Sequence, residues 1–364
     1  MLVKAAVLWE PGTPVDVREV ELDGPRAGEA LVRIAACGVC HTDLHVVDGS
    51  LPEPLPIVLG HEASGVVVET GPGVEQLREG DHVVLALVPS CGVCSTCRAG
   101  RPNFCELAAR MSSTGTLADG TSRLAANGSP LHHFNAVSSF AEYAVVPESA
   151  AVPVRRDVSL ESAALVSCAV ITGVGAVVNT ARVEEGASVA VWGCGGVGLN
   201  VVQGARIAGA GTIVAVDPSA EKLDLARRLG ATHVLPPAGA VEAVRELTGG
   251  GADYAFEAIG TEATIQSAWA AVRPGGAAVV VGLMPKGSTL ALDSWGLIDE
   301  KRLLGCFLGS ARVDTDIPRL VDLYADGRLA LDELVSRRLA VEELPDAFER
   351  LRAGEGVRQL VVFK

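Results

Sequence analysis

Four cysteines stand within fifteen residues, Cys91, Cys94, Cys97 and Cys105, in the spacing Cys-x-x-Cys-x-x-Cys-x7-Cys. Gly92, Gly100 and Pro102 supply the turns that fold such a loop. Four thiolates close a tetrahedral zinc site with no open position, which makes such a site structural and not catalytic. Paired disulfides and an iron–sulfur cluster are the other chemistries open to this spacing.

A second set of metal-type donors is dispersed: Cys40 in Gly38-Val39-Cys40-His41-Thr42-Asp43, His61 in Gly60-His61-Glu62, and Cys168 after Val166-Ser167. Two thiolates and one imidazole would leave a fourth zinc position open, the requirement of a catalytic metal. Taken singly, a buried cysteine is an ordinary small apolar residue and a lone histidine an ordinary polar one. Their combination with the four-cysteine loop and with the next motif turns the balance.

That motif is Val191-Trp192-Gly193-Cys194-Gly195-Gly196-Val197-Gly198, an apolar run joined to a helical one through G-x-G-x-x-G. Gly193 permits the tight turn, Gly195 lets backbone approach a pyrophosphate, and Gly198 lets the helix pack close to the strand. The next apolar run ends at Asp217, where a carboxylate can bond both ribose hydroxyls and repel a 2′-phosphate. Pro218-Ser219-Ala220 contains no arginine, so NAD is expected and not NADP.

These groups need elements to hold them. Before residue 160 the chain is β-rich: residues 31–36 alternate, 65–68 and 82–85 are β-branched, and Gly or Pro separates the runs. An antiparallel sheet or small barrel is expected there. Residues 110–139, rich in Ser, Thr and Gly with little periodicity, read as a long surface loop. From residue 187 short apolar runs at 188–192, 212–216, 254–256 and 277–281 alternate with helical stretches such as 220–229 and 262–271. Alternation of this kind predicts a parallel sheet with right-handed crossovers. It stops after residue 307, and the chain closes on a strand at 359–363. A nucleotide-type domain is therefore inserted between two stretches that need each other.

Composition narrows the partners. The 364 residues carry 30 basic and 44 acidic side chains, a formal net charge of −14. Such a field repels nucleic-acid phosphates and anionic membrane surfaces. Residues 162–181 and 186–205 are uncharged over membrane-spanning lengths. They contain glycines with Thr172, Asn179, Asn200 and Gln203, and the second holds a strand, a turn and a helix start, so both are expected as buried elements of an α/β domain. The opening apolar stretch is too short for a signal-peptide core, and a cytoplasmic location is expected. The remaining cysteines, Cys37, Cys194 and Cys306, read as packing residues.

The run Gly60-His61-Glu62-x-x-Gly65-x5-Gly71-x-x-Val74 resembles the zinc signature of the zinc-dependent medium-chain alcohol dehydrogenases, and the resemblance covers essentially the whole chain. Residues 115–121 and His132-His133-Phe134 are similar to the long-chain branch that includes the liver-type and the class III, glutathione-dependent formaldehyde-oxidising enzymes. The resemblance implies an α/β protein: a GroES-like β-rich catalytic domain over 1–169, a Rossmann doubly wound parallel-sheet coenzyme domain over 170–307, and a return segment over 308–364. It also implies a homodimer or homotetramer, with a dimer made by continuing the nucleotide sheet near residues 311–313.

Two zinc ions and one NAD per chain follow from the same resemblance. Catalytic zinc would fall on Cys40, His61 and Cys168, and structural zinc on Cys91, Cys94, Cys97 and Cys105. Thr42 would bond the zinc-bound alcohol, His45 would pass its proton outward, Asp43 would orient His61, and Glu62 would sit behind the metal. On the cofactor side, His41, Lys222 and Arg358 match phosphate or ribose contacts, while Thr172, Val197, Ile259 and Val281 match residues lining the nicotinamide.

By resemblance the substrate pocket is lined by Leu51, Leu87, Phe134, Asn135, Leu283 and Phe307, mostly apolar. That suits a medium-sized primary alcohol, aromatic or allylic, oxidised reversibly to its aldehyde. Ala109 falls where the class III branch carries an arginine, against a glutathione adduct, though Arg110 is adjacent. Oxidation of an S-(hydroxymethyl)thiol is the alternative, and a non-catalytic zinc-binding protein of the same fold is a third.

Overall fold

The strand Glu29–Gly38 is the spine of the first part of the molecule. In the computed structural model, which describes residues 1–364, it pairs antiparallel with Glu62–Thr70, with Tyr143–Pro147 and with the C-terminal strand Arg358–Val362. These belong to a seven-stranded sheet, next to which Leu2–Leu8, Asp16–Leu22, Leu124–Ala126, Ser129–His133 and Ile57–Val58 close a small barrel. Inward-facing Val32, Ile34, Val67, Val83 and Leu85 form the shared core with the helix Leu344–Arg352 through Leu344 and Phe348. Gly38 stands opposite both Glu62 and Leu360. The end of the chain is thus tied to the strand that leads into Cys40.

Residues 110–139 depart from the surface loop expected of them. The helix Glu106–Thr114 runs into them, and the two barrel strands Leu124–Ala126 and Ser129–His133 lie within them. Arg123 explains the miss. Its side chain is fully buried, with Nη2 2.5 Å and Nε 2.9 Å from the two oxygens of Glu29 and Nη2 2.8 Å from Asp119. A buried arginine flanked by three- and five-residue strands has no period that a sequence pattern registers.

The second part is a six-stranded parallel sheet ordered His233–Leu235, Thr212–Val216, Ser188–Trp192, Ala252–Glu257, Val272–Val280 and Arg302–Gly305. Helices Gly196–Ile207, Ala220–Leu229 and Glu262–Ala271 make the crossovers. Val189, Ala190 and Val191 are wholly buried, as in a strand covered on both faces. Strand order reverses about Ser188–Trp192, whose neighbours are the strand that follows it and one much later in the chain. That switch point is where an open α/β sheet places a ligand at the carboxyl ends of its strands. The outer strand is Arg302–Gly305, whereas Ala311 is buried and Val313 begins a helix, so the sheet edge is not at 311–313 as expected.

By contacts the chain divides into Met1–Cys168 with Arg312–Lys364, and Ala169–Ala311. No single helix is long and apolar enough to cross a membrane.

Candidate active site

Cys40 ends the loop after Glu29–Gly38 and stands at the N-terminus of the helix His41–Val47, whose Asp43, Leu44, Val46 and Val47 face inward. His61 precedes the strand Glu62–Thr70, and Cys168 follows the short helical turn Leu165–Ser167. The fold brings these three together: their donor atoms lie within 4.8 Å of one another, all buried. The Cys40 and Cys168 sulfurs are 4.0 Å apart.

The donor set fits zinc on the structure's own terms. His61 Nε2 is buried without a hydrogen-bond partner, while Nδ1 is 3.2 Å from Asp43 Oδ1, which also accepts from the Gly60 N–H at 3.0 Å. The ring is therefore fixed by its far side with its free nitrogen turned to the two sulfurs. Hydrogen bonding between the paired sulfurs drives the Cys40 thiol well down and the Cys168 thiol well up. One proton between two buried sulfurs is the position a dication takes over.

Behind the cluster, burial lifts the Glu62 carboxyl to about 8, against the opposing charge of Arg358. Arg358 Nη2 is 3.2 Å from Glu62 Oε2, and Nη1 donates to the Val39 carbonyl at 3.2 Å. A Cβ at position 38 would stand 2.8 Å from Glu62 Cδ, so Gly38 makes room for that side chain. Arg358 is thus buried and engaged within this part of the molecule. Its sequence distance from Glu62 concealed the pairing.

Thr42 Oγ1 lies 3.7 Å from Cys40 Sγ. His45, partly exposed on the same helix, has Nδ1 3.0 Å from Ser50 Oγ, and Ser50 Oγ is 2.6 Å from Asp48 Oδ1. Sequence reasoning missed Ser50; its place five residues beyond His45, after Gly49, was the available signal. Phe134 is buried edge-on to the His61 ring at a centroid distance of 5.5 Å, and Leu51 and Leu87 are partly buried. Asn135 holds a left-handed φ of 51° and accepts from Ser112 Oγ at 3.1 Å. Leu283 and Phe307 are half-exposed on Ala169–Ala311.

The four sulfurs of Cys91, Cys94, Cys97 and Cys105 also lie within 4.8 Å of one another. The Cys91 N–H points at Cys105 Sγ at 3.3 Å and the Cys94 N–H at Cys91 Sγ at 3.4 Å. Thr96, 3.2 Å from Cys94 Sγ, pulls that thiol down to about 5, whereas burial pushes Cys97 up to about 12. No two of the nine cysteines are joined in a disulfide. Backbone N–H groups aimed at sulfur are an arrangement that supports bound thiolates.

At the glycine motif, a Cβ on Gly198 would meet the Gly193 carbonyl oxygen at 1.7 Å, whereas one on Gly195 would meet nothing within 4 Å. The first glycine is needed for packing, and the second opens onto space. Gly195 begins the helix Gly196–Ile207, which no side chain caps, leaving its N-terminus to an anion. Asp217 is held by the Cys194 N–H on Oδ2 at 2.8 Å and the Ser219 N–H on Oδ1 at 2.9 Å. Lys222 is partly buried on the next helix and Val197 lies on the motif's own, while Thr172, Ile259 and Val281 are exposed to differing degrees. His41 is exposed on the helix that carries Thr42 and His45.

Comparison with known proteins agrees with this arrangement. Residues 26–156 match the model of the alcohol dehydrogenase GroES-like domain, and residues 196–326 that of a zinc-binding dehydrogenase. The chain is 38% identical to an S-(hydroxymethyl)glutathione dehydrogenase of Paracoccus denitrificans, covering all of both chains. Among solved structures it is similar to benzyl alcohol dehydrogenase from Acinetobacter calcoaceticus, with a TM-score of 0.95 and 35% identity over all of both chains. It is also similar to a zinc-binding dehydrogenase from Sinorhizobium meliloti 1021 bound to NADP, with a TM-score of 0.84 and 31% identity over all of both chains. A buried Cys-His-Cys cluster, a four-cysteine loop and these full-length matches lead to one assignment: the chain belongs to the zinc-dependent medium-chain alcohol dehydrogenases, oxidoreductases that act on CH–OH groups.

Proposed function

We propose that the protein oxidises a medium-sized primary alcohol with NAD, reversibly, at the Cys40, His61 and Cys168 cluster. The observation that carries this reading is that the three donors converge in a buried site with no fourth protein donor among them. Zinc held by these three residues would supply a Lewis acid that lowers the pKa of an alcohol hydroxyl toward neutrality, sparing the protein a strong base for alcohol oxidation.

The chain's own residues then have distinct tasks. Cys40, His61 and Cys168 hold the metal, and Asp43 fixes the His61 ring. Thr42, the second residue of the helix, takes up the proton from the alcohol oxygen while releasing its own hydroxyl proton outward. His45, with Ser50 on its Nδ1, carries it to solvent. Behind the cluster Arg358 supplies a buried positive charge beside the Glu62 carboxyl, which burial lifts to about 8. Phe134, against His61, supplies an apolar wall that excludes water and sets the width available to the substrate's substituent. Gly193, Gly195, Gly196 and Gly198 with the helix N-terminus hold the pyrophosphate, and Lys222 serves the ribose. Asp217 bonds the ribose, and its carboxylate supports NAD over NADP. Cys91, Cys94, Cys97 and Cys105 hold a second, structural zinc.

The curated relatives support a second substrate, an S-(hydroxymethyl)thiol, at least as well: that of Paracoccus denitrificans is named for the glutathione adduct, and those of Cereibacter sphaeroides and Drosophila melanogaster are named class-3 alcohol dehydrogenases. Against it, exposed Ala109 offers no cation, and Arg110 Nη2 donates to the Ala118 carbonyl at 3.1 Å. A cytoplasmic location and a homodimer joined through the outer strand Arg302–Gly305 complete the proposal. The deciding experiment measures reduced-cofactor release with NAD and with NADP over aliphatic, aromatic and allylic alcohols, and over formaldehyde with and without glutathione. Aromatic or allylic alcohols turned over best with NAD support the first reading. Formaldehyde oxidation that requires glutathione and outruns every simple alcohol replaces it with the second. Faster turnover with NADP overturns the Asp217 assignment.

A further inference from the structure

We infer that the Glu257 carboxylate fixes the nicotinamide end of the dinucleotide site and biases that site toward the oxidised, cationic cofactor. The inference rests on the proposed dinucleotide reading of Ala169–Ala311. Glu257 ends the strand Ala252–Glu257, level with Trp192 at the entrance to the glycine motif, and is wholly buried.

One residue here anchors two chain segments. Oε1 accepts from the N–H groups of Ile259 at 2.9 Å and Gly260 at 2.8 Å and from Thr264 Oγ1 at 2.7 Å. Its backbone carbonyl accepts from the N–H groups of Val281 at 2.8 Å and Gly282 at 3.0 Å. Ile259 and Val281 are the residues expected against the nicotinamide, so both depend on Glu257 for their place. Ile259 also abuts the motif: a Cβ on Gly193 would stand 2.5 Å from Ile259 Cγ1. The two anchored segments close on each other through glycine. A Cβ on Gly282 would meet the Gly260 nitrogen at 2.2 Å and Glu257 Oε2 at 2.7 Å.

The second oxygen is the telling feature. Oε2 is buried with no hydrogen-bond partner, and no cationic side chain pairs with the carboxylate. Three donors satisfy Oε1, but the unpaired Oε2 leaves the buried carboxylate only partly compensated, a cost that an opposite charge nearby relieves. The oxidised nicotinamide ring is a cation and the reduced ring is neutral. A fixed anion beneath the turn that carries Ile259 therefore attracts one redox form and not the other. A carboxylate kept only to hold the turn would do as well with its spare oxygen paired.

The test is equilibrium titration of NAD+, NADH and ADP-ribose against the zinc-loaded wild-type protein, Glu257→Gln and Glu257→Ala. Glutamine keeps an oxygen for Ile259, Gly260 and Thr264 and removes the charge. It is expected to raise the Kd for NAD+ on the order of tenfold relative to that for NADH, with ADP-ribose binding unchanged. Alanine removes the anchor and is expected to weaken both dinucleotides while sparing ADP-ribose. Equal effects of glutamine on NAD+ and NADH, or none, overturn the charge role. Loss of ADP-ribose binding in both variants overturns the assignment to the nicotinamide end. A wild-type protein that binds neither dinucleotide removes the underlying reading and this inference together, an outcome distinct from the others.

Discussion

Asp43 decides how His61 meets a metal. Its Oδ1 takes the only proton the ring can offer on the far side, and it also takes the Gly60 N–H. In Asp43→Ala both donors lose their acceptor inside a fully buried site, and the ring loses its orientation. Catalytic zinc affinity is expected to fall by about 10- to 100-fold, while the four-cysteine site is untouched. Metal analysis after mild chelation should find two zinc ions per wild-type chain and one per variant chain; two in both would refute the role. The cysteines and histidine of this site, ordinary when taken singly, were legible in the sequence through their combination with the four-cysteine loop and the glycine motif and through the family resemblance. Ser50 and the Glu62–Arg358 pair were not, since serine and arginine are ordinary surface residues until a fold places them. Nor could the sequence show that Arg358, which the resemblance places at a phosphate, has its guanidinium against Val39 and Glu62.

Between Cys91 and Cys105 the loop buries only Asn103 and Cys105. Its helix Ser95–Arg98 buries no side chain, and Val93 and Phe104 are exposed. Where no core supports a segment, metal binding supplies the folding energy. Cys94→Ala is therefore expected to lower the melting temperature by about 10 °C, with retained zinc at the other site and a KM for alcohol close to wild type. An unchanged melting curve would show that the loop folds without its metal. The barrel strand Ser129–His133 carries a different dependence. His133 Nε2 accepts from the Arg123 N–H at 3.1 Å, and burial, aided by the nearby Arg123 charge, holds its pKa down to about 3. The folded pKa lies below the unfolded value, so the unfolded chain binds the proton first. Stability is then full above about pH 6.5 and is lost as pH falls toward 3, with a slope up to about 1.4 kcal/mol per pH unit. Urea titrations between pH 7 and 5 should show that slope in the wild type and a shallower one in His133→Asn; parallel slopes would place the acid sensitivity elsewhere. Helices 220–229 and 262–271 were readable because helical stretches alternate there with short apolar runs, and the structure caps them with Ser219 and Thr261. The short barrel strands were not, because a three-residue strand beside a buried arginine has no repeat to detect.

At the scale of the whole molecule the alternation of strands and helices announced the parallel sheet, but not where it ends. The expected edge at 311–313 failed because the apolar residues there are turned inward, Ala311 fully so. The real edge, Arg302–Gly305, pairs on one side only with Val272–Val280. Next to it in sequence, Trp295, Leu297 and Ile298 of a single-turn helix are exposed, as is Leu303 on the strand. An open strand carrying one exposed large apolar side chain, with three more close by in sequence, is a surface that natural proteins cover. A net charge of −14 acts against any such association, so the apolar contact has to outweigh a general repulsion. Two copies meeting edge to edge about a twofold axis satisfy both the unpaired backbone and the apolar patch. Light scattering is expected to give twice the chain mass at low micromolar concentration, and Ile298→Asp with Leu297→Asp to give the monomer. Because the patch lies outside the Cys40, His61 and Cys168 cluster, the monomeric variant should still retain two zinc ions per chain. A wild-type protein that is monomeric at those concentrations, or a double variant that stays dimeric, would show that this edge is covered in some other way.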